Sequence, residues 1–141
     1  MDNPDRVSLD YVLVADGAHV VGGKLYVLGG GWDRLLVPQL PGVPAAPFAV
    51  VAGIRVPWSL TNRKLDFSID VLDADGERVA QLTAGVLEVG RPPGMRAGTG
   101  QRFQLAVPAR PEFAAAGTYV IRCSLDGEVL GQTTIEVNLA G

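Results

Sequence analysis

Apolar and polar positions alternate along most of this chain. Leu65, Phe67, Ile69 and Val71 fall on one face of a run whose other face carries Asp66, Ser68 and Asp70, the pattern of a half-buried antiparallel strand. Tyr119, Ile121, Cys123 and Leu125 alternate in the same way with Val120, Arg122 and Ser124, and Val129, Thr133, Ile135 and Val137 mark a last strand. Few windows place apolar residues at helical spacing, and glycine and proline punctuate nearly everything, so no helix is expected. Strands are expected near 9–15, 18–21, 24–32, 48–56, 65–72, 77–89, 102–107, 118–125 and 128–138. Eight or nine short strands separated by turn signals predict an all-β protein, an antiparallel immunoglobulin-like β-sandwich, with residues 1–141 as a single domain.

Three turns are written in the sequence. Gly22-Gly23 and Asp126-Gly127 are two-residue hairpin loops that need positive φ. Asp73-Ala74-Asp75-Gly76 reads as a longer loop closed by a left-handed glycine. A two-residue loop at Gly22-Gly23 places Val21 opposite Lys24, His19 opposite Tyr26 and Asp16 opposite Gly29. The glycine triplet of Leu28-Gly-Gly-Gly-Trp-Asp-Arg-Leu35 then lies beside Asp16-Gly17 on a paired strand. A phosphate loop would need a helix after the glycines, and Trp32 to Pro38 is β-rich and ends in proline. The triplet is therefore expected at a bulge or bend near Val14 to Gly17, with Trp32 and Arg34 on one face just past it.

Two other patterns concern burial and mobility. The strands near 9–15, 24–28 and 48–54 are apolar on both faces, and one sheet face against a core covers only one set. A loop or another subunit is expected over the other. The proline-rich run Pro38 to Pro47 is expected to be extended, and the glycine-rich loop 90–101 to be mobile.

Composition narrows the functional classes. Charged residues are 19% of the chain and apolar residues 48%, enough for a core. No secretory leader is read at the amino terminus. The most apolar window, Val43 to Ile54, is short and broken by Pro44 and Pro47, so no membrane association is expected. With one cysteine no internal disulfide forms, and a cytoplasmic setting is the natural expectation. The net charge of −3 argues against nucleic-acid binding. The segment Val89 to Pro111 nevertheless holds Arg91, Arg96, Arg102 and Arg110 and no acid. Arg91, Arg96 and Arg102 are the expected contacts for an acidic protein partner, in cis or in a neighbouring subunit.

Val14-Ala-Asp-Gly-Ala18, Gly23-Lys-Leu25 and Gly29-Gly-Gly-Trp-Asp-Arg34, with a closing hairpin of Ala116-Gly-Thr-Tyr119 and Asp126-Gly127, resemble a family of small uncharacterised bacterial proteins. The resemblance covers most of the chain. It implies a β-sandwich and a bacterial origin, and it implies no activity.

No nucleophile, metal or cofactor motif is apparent. His19 stands without a serine in an elbow motif, Cys123 sits among apolar neighbours on a strand face, and Asp73 to Glu77 lacks the further ligands of a calcium loop. No catalytic residue, metal or cofactor is expected. The expected function is a non-catalytic cytoplasmic module that self-associates, most simply as a dimer, or docks on a larger protein assembly. The alternative is a small-ligand or anion-binding protein, or an enzyme, with a site near Trp32 and Arg34.

Overall fold

The computed structural model describes residues 5–141; the first four, which open the stretch read as lacking a leader, lie outside the described residues. Nine strands follow in order: β1 (Ser8–Val21), β2 (Lys24–Gly30), β3 (Arg34–Val37), β4 (Phe48–Val56), β5 (Leu65–Leu72), β6 (Arg78–Leu87), β7 (Gln101–Ala109), β8 (Gly117–Leu125) and β9 (Glu128–Leu139). A single 3-10 turn, Trp58–Leu60, follows β4. The strands form two sheets, β2-β1-β4-β7 and β3-β9-β8-β5-β6. Every pairing is antiparallel except β3 with β9, which is parallel.

Alternation explains which residues meet between the sheets. Val50, Ala52, Ile54 and Val56 of β4 share one buried cluster with Ile69 and Val71 of β5, Ile121 and Cys123 of β8, and Ile135 and Val137 of β9. The order β1-β4-β7 against β9-β8-β5 is the A-B-E against G-F-C arrangement of an immunoglobulin sandwich. A tyrosine corner accompanies it: the Tyr119 hydroxyl donates to the Ala115 carbonyl at 2.7 Å, and its ring meets Phe113 edge-on at 4.8 Å. Phe113 in turn exchanges two backbone hydrogen bonds with Gly42, which holds the proline-rich segment 38–47 against the sandwich.

The three turns lie where the sequence places them. Gly22 and Gly23 have φ of +58° and +76°, Asp126 and Gly127 +49° and +82°, and Gly76 +82°. The first hairpin keeps the expected register, from Val21 opposite Lys24 to Ala15 opposite Gly30, and Gly31 N–H continues it by donating to the Val14 carbonyl at 2.8 Å.

Two expectations are corrected. The strands expected near 9–15 and 18–21 are one fourteen-residue strand, because the ladder with β2 runs on through Gly17, which pairs with Leu28. The stretch 24–32 does not run on to Arg34: β2 stops at Gly30, and Arg34–Val37 crosses to the other sheet and pairs with β9 from Glu136 to Leu139. Trp32 therefore lies in the link between β2 and β3 and shares no strand face with Arg34, which opens β3.

Candidate functional site

The second face of β4 explains the apolar pattern on both sides of the first strands. Ala49 and Val51 are 5% and 0% exposed, yet neither belongs to the cluster between the sheets. They lie on the outer face of the first sheet, in rows with Ala15 and Leu13 of β1 and Pro108 and Ala106 of β7. Tyr11 covers Gly53 in the next row; a Cβ there would come within 2.3 Å of the tyrosine ring. The Tyr11 hydroxyl donates to Gln104 Oε1, and Gln104 Nε2 donates to the Gly23 carbonyl at 2.9 Å. Gly23 is the tip of the β1–β2 hairpin, and β7 lies beyond β4 in the sheet. The far half of the hairpin is thus an arm that bends back across β4 and β7. The chain supplies its own cover for the outer face.

The bend is where the glycines lie. Gly29 has φ of +61°, and a Cβ on it would sit 2.4 Å from Asp16 Oδ2. Asp16 occupies the space this glycine leaves, and its Oδ1 accepts the indole N–H of Trp32 at 3.1 Å. Trp32 itself packs on the core cluster and meets Phe48 edge-on at 5.6 Å. Between the arm and the sheet lies a cleft of about 610 Å³, bordered by Asp16 to Val20 on the arm, Pro47 to Ala49, and Gln104, Leu105, Ala106 and Pro108 of β7. Its walls are largely apolar.

On the arm's other side the picture differs. The pleat puts His19, Tyr26 and Leu28 on one side of the hairpin and Ala18, Val20, Leu25 and Val27 on the other. Tyr26 is 56% exposed and Leu28 75%, and β2 has no strand beyond it.

Two of the three arginines expected at a partner surface have partners within the chain. Arg91 lies over the Trp58 ring, its Cζ 3.8 Å from the centroid. Its Nε donates to Thr61 Oγ1 at 2.6 Å and its terminal nitrogen to the Trp58 carbonyl at 2.9 Å. With Gln101 Nε2 donating to the Gly90 carbonyl, the loop expected to be mobile is fastened at both ends. Arg102 stands on β7, where its Nε donates to Asp10 Oδ2 at 2.7 Å while Arg55 approaches the same oxygen at 3.3 Å. Partial burial works to raise the Asp10 carboxyl; the hydrogen bond and charge of Arg102, with the charge of Arg55, outweigh it and hold the group below the ordinary aspartate range. Arg96 is exposed in the loop between them. Sequence order brought the three together because they flank one loop; pairing with Asp10, distant in sequence, was not visible in it.

Cys123 is fully buried, and burial, with the charge of Asp70, pushes its thiol up to about 12. Among the described residues no group of three His, Cys, Asp or Glu side chains is placed to hold a metal ion, and no helix is long and apolar enough to cross a membrane.

Fold and arrangement together define an immunoglobulin-like β-sandwich carrying a folded-back amino-terminal hairpin. A family model matches residues 10–138, and the chain belongs to that family, DUF6941, a family of unknown function. No curated protein matches it. Among solved structures it is similar to the alkylpurine DNA glycosylase AlkC of Pseudomonas fluorescens, bound to DNA containing an abasic site analog, at 15% identity and a TM-score of 0.49; the match covers 94% of this chain and 30% of the glycosylase. It is also similar to an immunoglobulin-like protein from Pseudomonas aeruginosa at 11% identity and a TM-score of 0.43, over 97% of this chain and all of that one. The chain thus spans about a third of the glycosylase's length.

Proposed function

We propose that this protein is a non-catalytic bacterial interaction module of the cytoplasm, and that it self-associates through the open edge of β2. The observation that carries the reading is the state of that strand. It is an edge strand of seven residues, Lys-Leu-Tyr-Val-Leu-Gly-Gly, with Tyr26, Val27 and Leu28 all exposed. Exposed edges are usually blunted by charge, by proline or by a covering loop. Here Lys24, at the very start, is the strand's single charge, and there is no proline.

A second copy is the occupant that fits without further assumption. Two β2 strands related by a two-fold axis run antiparallel, and each supplies the other's missing backbone partners. The two four-stranded sheets become one of eight. Tyr26 of each copy then lies within reach of Leu28 of the other, and aromatic–aliphatic pairs across antiparallel strands stabilise by about 0.2–1 kcal/mol each. Of the three regions expected at a subunit contact, β4 and the first half of β1 are covered within the chain, which leaves residues 24–28. The buried, raised thiol of Cys123 supports a role without cysteine nucleophilic chemistry. The single cysteine and the absence of a motif for membrane or nucleic-acid contact support a cytoplasmic setting with a protein partner.

Amide hydrogen exchange tests the reading at the strand itself. Those β2 amides that face away from β1 are expected to exchange at near-unprotected rates in dilute solution and to slow as protein concentration rises, while amides of β4 and β8 exchange at the same rate throughout. Exchange in β2 that is independent of concentration up to the millimolar range overturns it.

A further inference from the structure

The cleft beneath the arm is not used by this self-association, which engages the edge and the opposite side of β2. We propose that the cleft binds a primary amine carried on a small apolar body, with the Asp16 carboxylate as the counter-ion and the apolar walls as the seat of the body.

The size is right for a small molecule: pockets for such ligands enclose about 300–1,000 Å³, and this one encloses about 610 Å³. Ala18, Val20, Pro47, Phe48, Ala106 and Pro108 give it a surface suited to a short aliphatic chain or one aromatic ring. Asp16 is the one acid on its lining, His19 is the one other titratable side chain there, and no lysine or arginine is among the described residues that border it. Charge at the mouth therefore favours a cation; neither Trp32 nor Arg34, the residues of the ligand site expected from the sequence, lines this cleft.

Asp16 is also held rather than left to swing. Trp32 Nε1 donates to its Oδ1, and Gly29 leaves the space its Oδ2 fills. A carboxylate offers about four acceptor positions, so the indole bond leaves room for an ammonium group. An oriented charge beside an apolar seat loses less freedom on binding than a mobile one. This gives the run Gly29-Gly-Gly-Trp32 a task beyond bending the hairpin: without bordering the cleft itself, it holds the side chain of Asp16, which does. Gln104 is committed to Tyr11 and Gly23 at the far end and closes the arm over the cleft.

The test is a two-dimensional amide NMR titration of the full chain with 2-phenylethylamine, with its neutral isostere 2-phenylethanol, and with the anion 3-phenylpropionate. The amine is expected to give saturable shifts confined to residues 16–20, 47–49 and 104–108, with the alcohol at least about fivefold weaker and the carboxylate without effect. Asp16→Asn is expected to reduce the amine to the level of the alcohol and to leave the alcohol unchanged. Ala106→Phe, which fills the cleft from β7, is expected to abolish both while the remaining spectrum stays folded. Binding is expected to survive Leu28→Lys, because the β2 edge is not involved. Equal affinity for amine and alcohol, an amine affinity indifferent to Asp16→Asn, or no saturable shift at these residues overturns the proposal.

Discussion

Two constraints coincide at Gly29: a left-handed φ of +61° and a neighbouring carboxylate oxygen 2.4 Å from where a Cβ would stand. Gly17, on the paired strand, meets nothing within 4 Å. Gly29→Ala is therefore expected to destabilise the protein by about 1–3 kcal/mol, and Gly17→Ala to change stability by no more than about 1 kcal/mol in either direction. Urea unfolding of the two variants compares them directly, and equal losses would show that crowding by Asp16 is not what selects the glycine. Asp10 gives a second residue-level outcome. Its folded pKa is lowered, so the pairing with Arg102 and Arg55 contributes stability above the ordinary carboxylate range and loses it as pH falls through the folded value. The parent protein is expected to lose more stability between about pH 6 and about pH 3 than Asp10→Asn does. Parallel stability–pH curves from denaturant titrations would remove Asp10 from the account.

Among the elements, the legible ones are those whose signal is local. The alternation of Leu65 to Val71 and of Tyr119 to Leu125 gives β5 and β8 their positions and faces, and Gly22-Gly23 fixes the register of β1 with β2 as far as Gly31. Arg34–Val37 carries no comparable signal. It is four residues long, and it is a strand because β9 runs parallel beside it, a contact about a hundred residues away in sequence. The arm was half legible. The double-sided apolar pattern of residues 9–15 and 48–54 says that something covers the outer face, and the glycines say that the hairpin bends. Which way it bends depends on Gln104 meeting Gly23, a polar pair that no periodicity marks. The same holds for the candidate site. Trp32 and the glycines stand out in the sequence, whereas their partner Asp16, one acid among fifteen, is singled out only when the hairpin register places it beside Gly29. Arg91 and Arg102 looked alike as cations flanking a loop; one stacks on Trp58 and the other answers Asp10.

For the molecule as a whole, the sandwich leaves its two sheets unequal. The second carries Asp66, Ser68, Asp70, Arg122 and Gln132 along its strands, and Leu36, Val86, Val129 and Leu139 are also exposed there. The first is apolar on both faces; it folds its own hairpin over one of them, and that hairpin carries Leu28, the most exposed large apolar side chain among the described residues. Solvating one face by folding an arm across it transfers the unsatisfied surface to the arm's edge, and a second copy is what satisfies it in this account. Sedimentation velocity across a concentration series tests this most directly, on the parent chain and on the double variant Tyr26→Lys, Leu28→Lys. Both substituted side chains are exposed, so the fold is expected to persist while like charges face each other across the two-fold axis. The parent is expected to approach twice the chain mass of 14.8 kDa as concentration rises, and the variant to remain at 14.8 kDa throughout. A parent that stays monomeric into the high micromolar range, or a variant that associates as strongly as the parent, would contradict it.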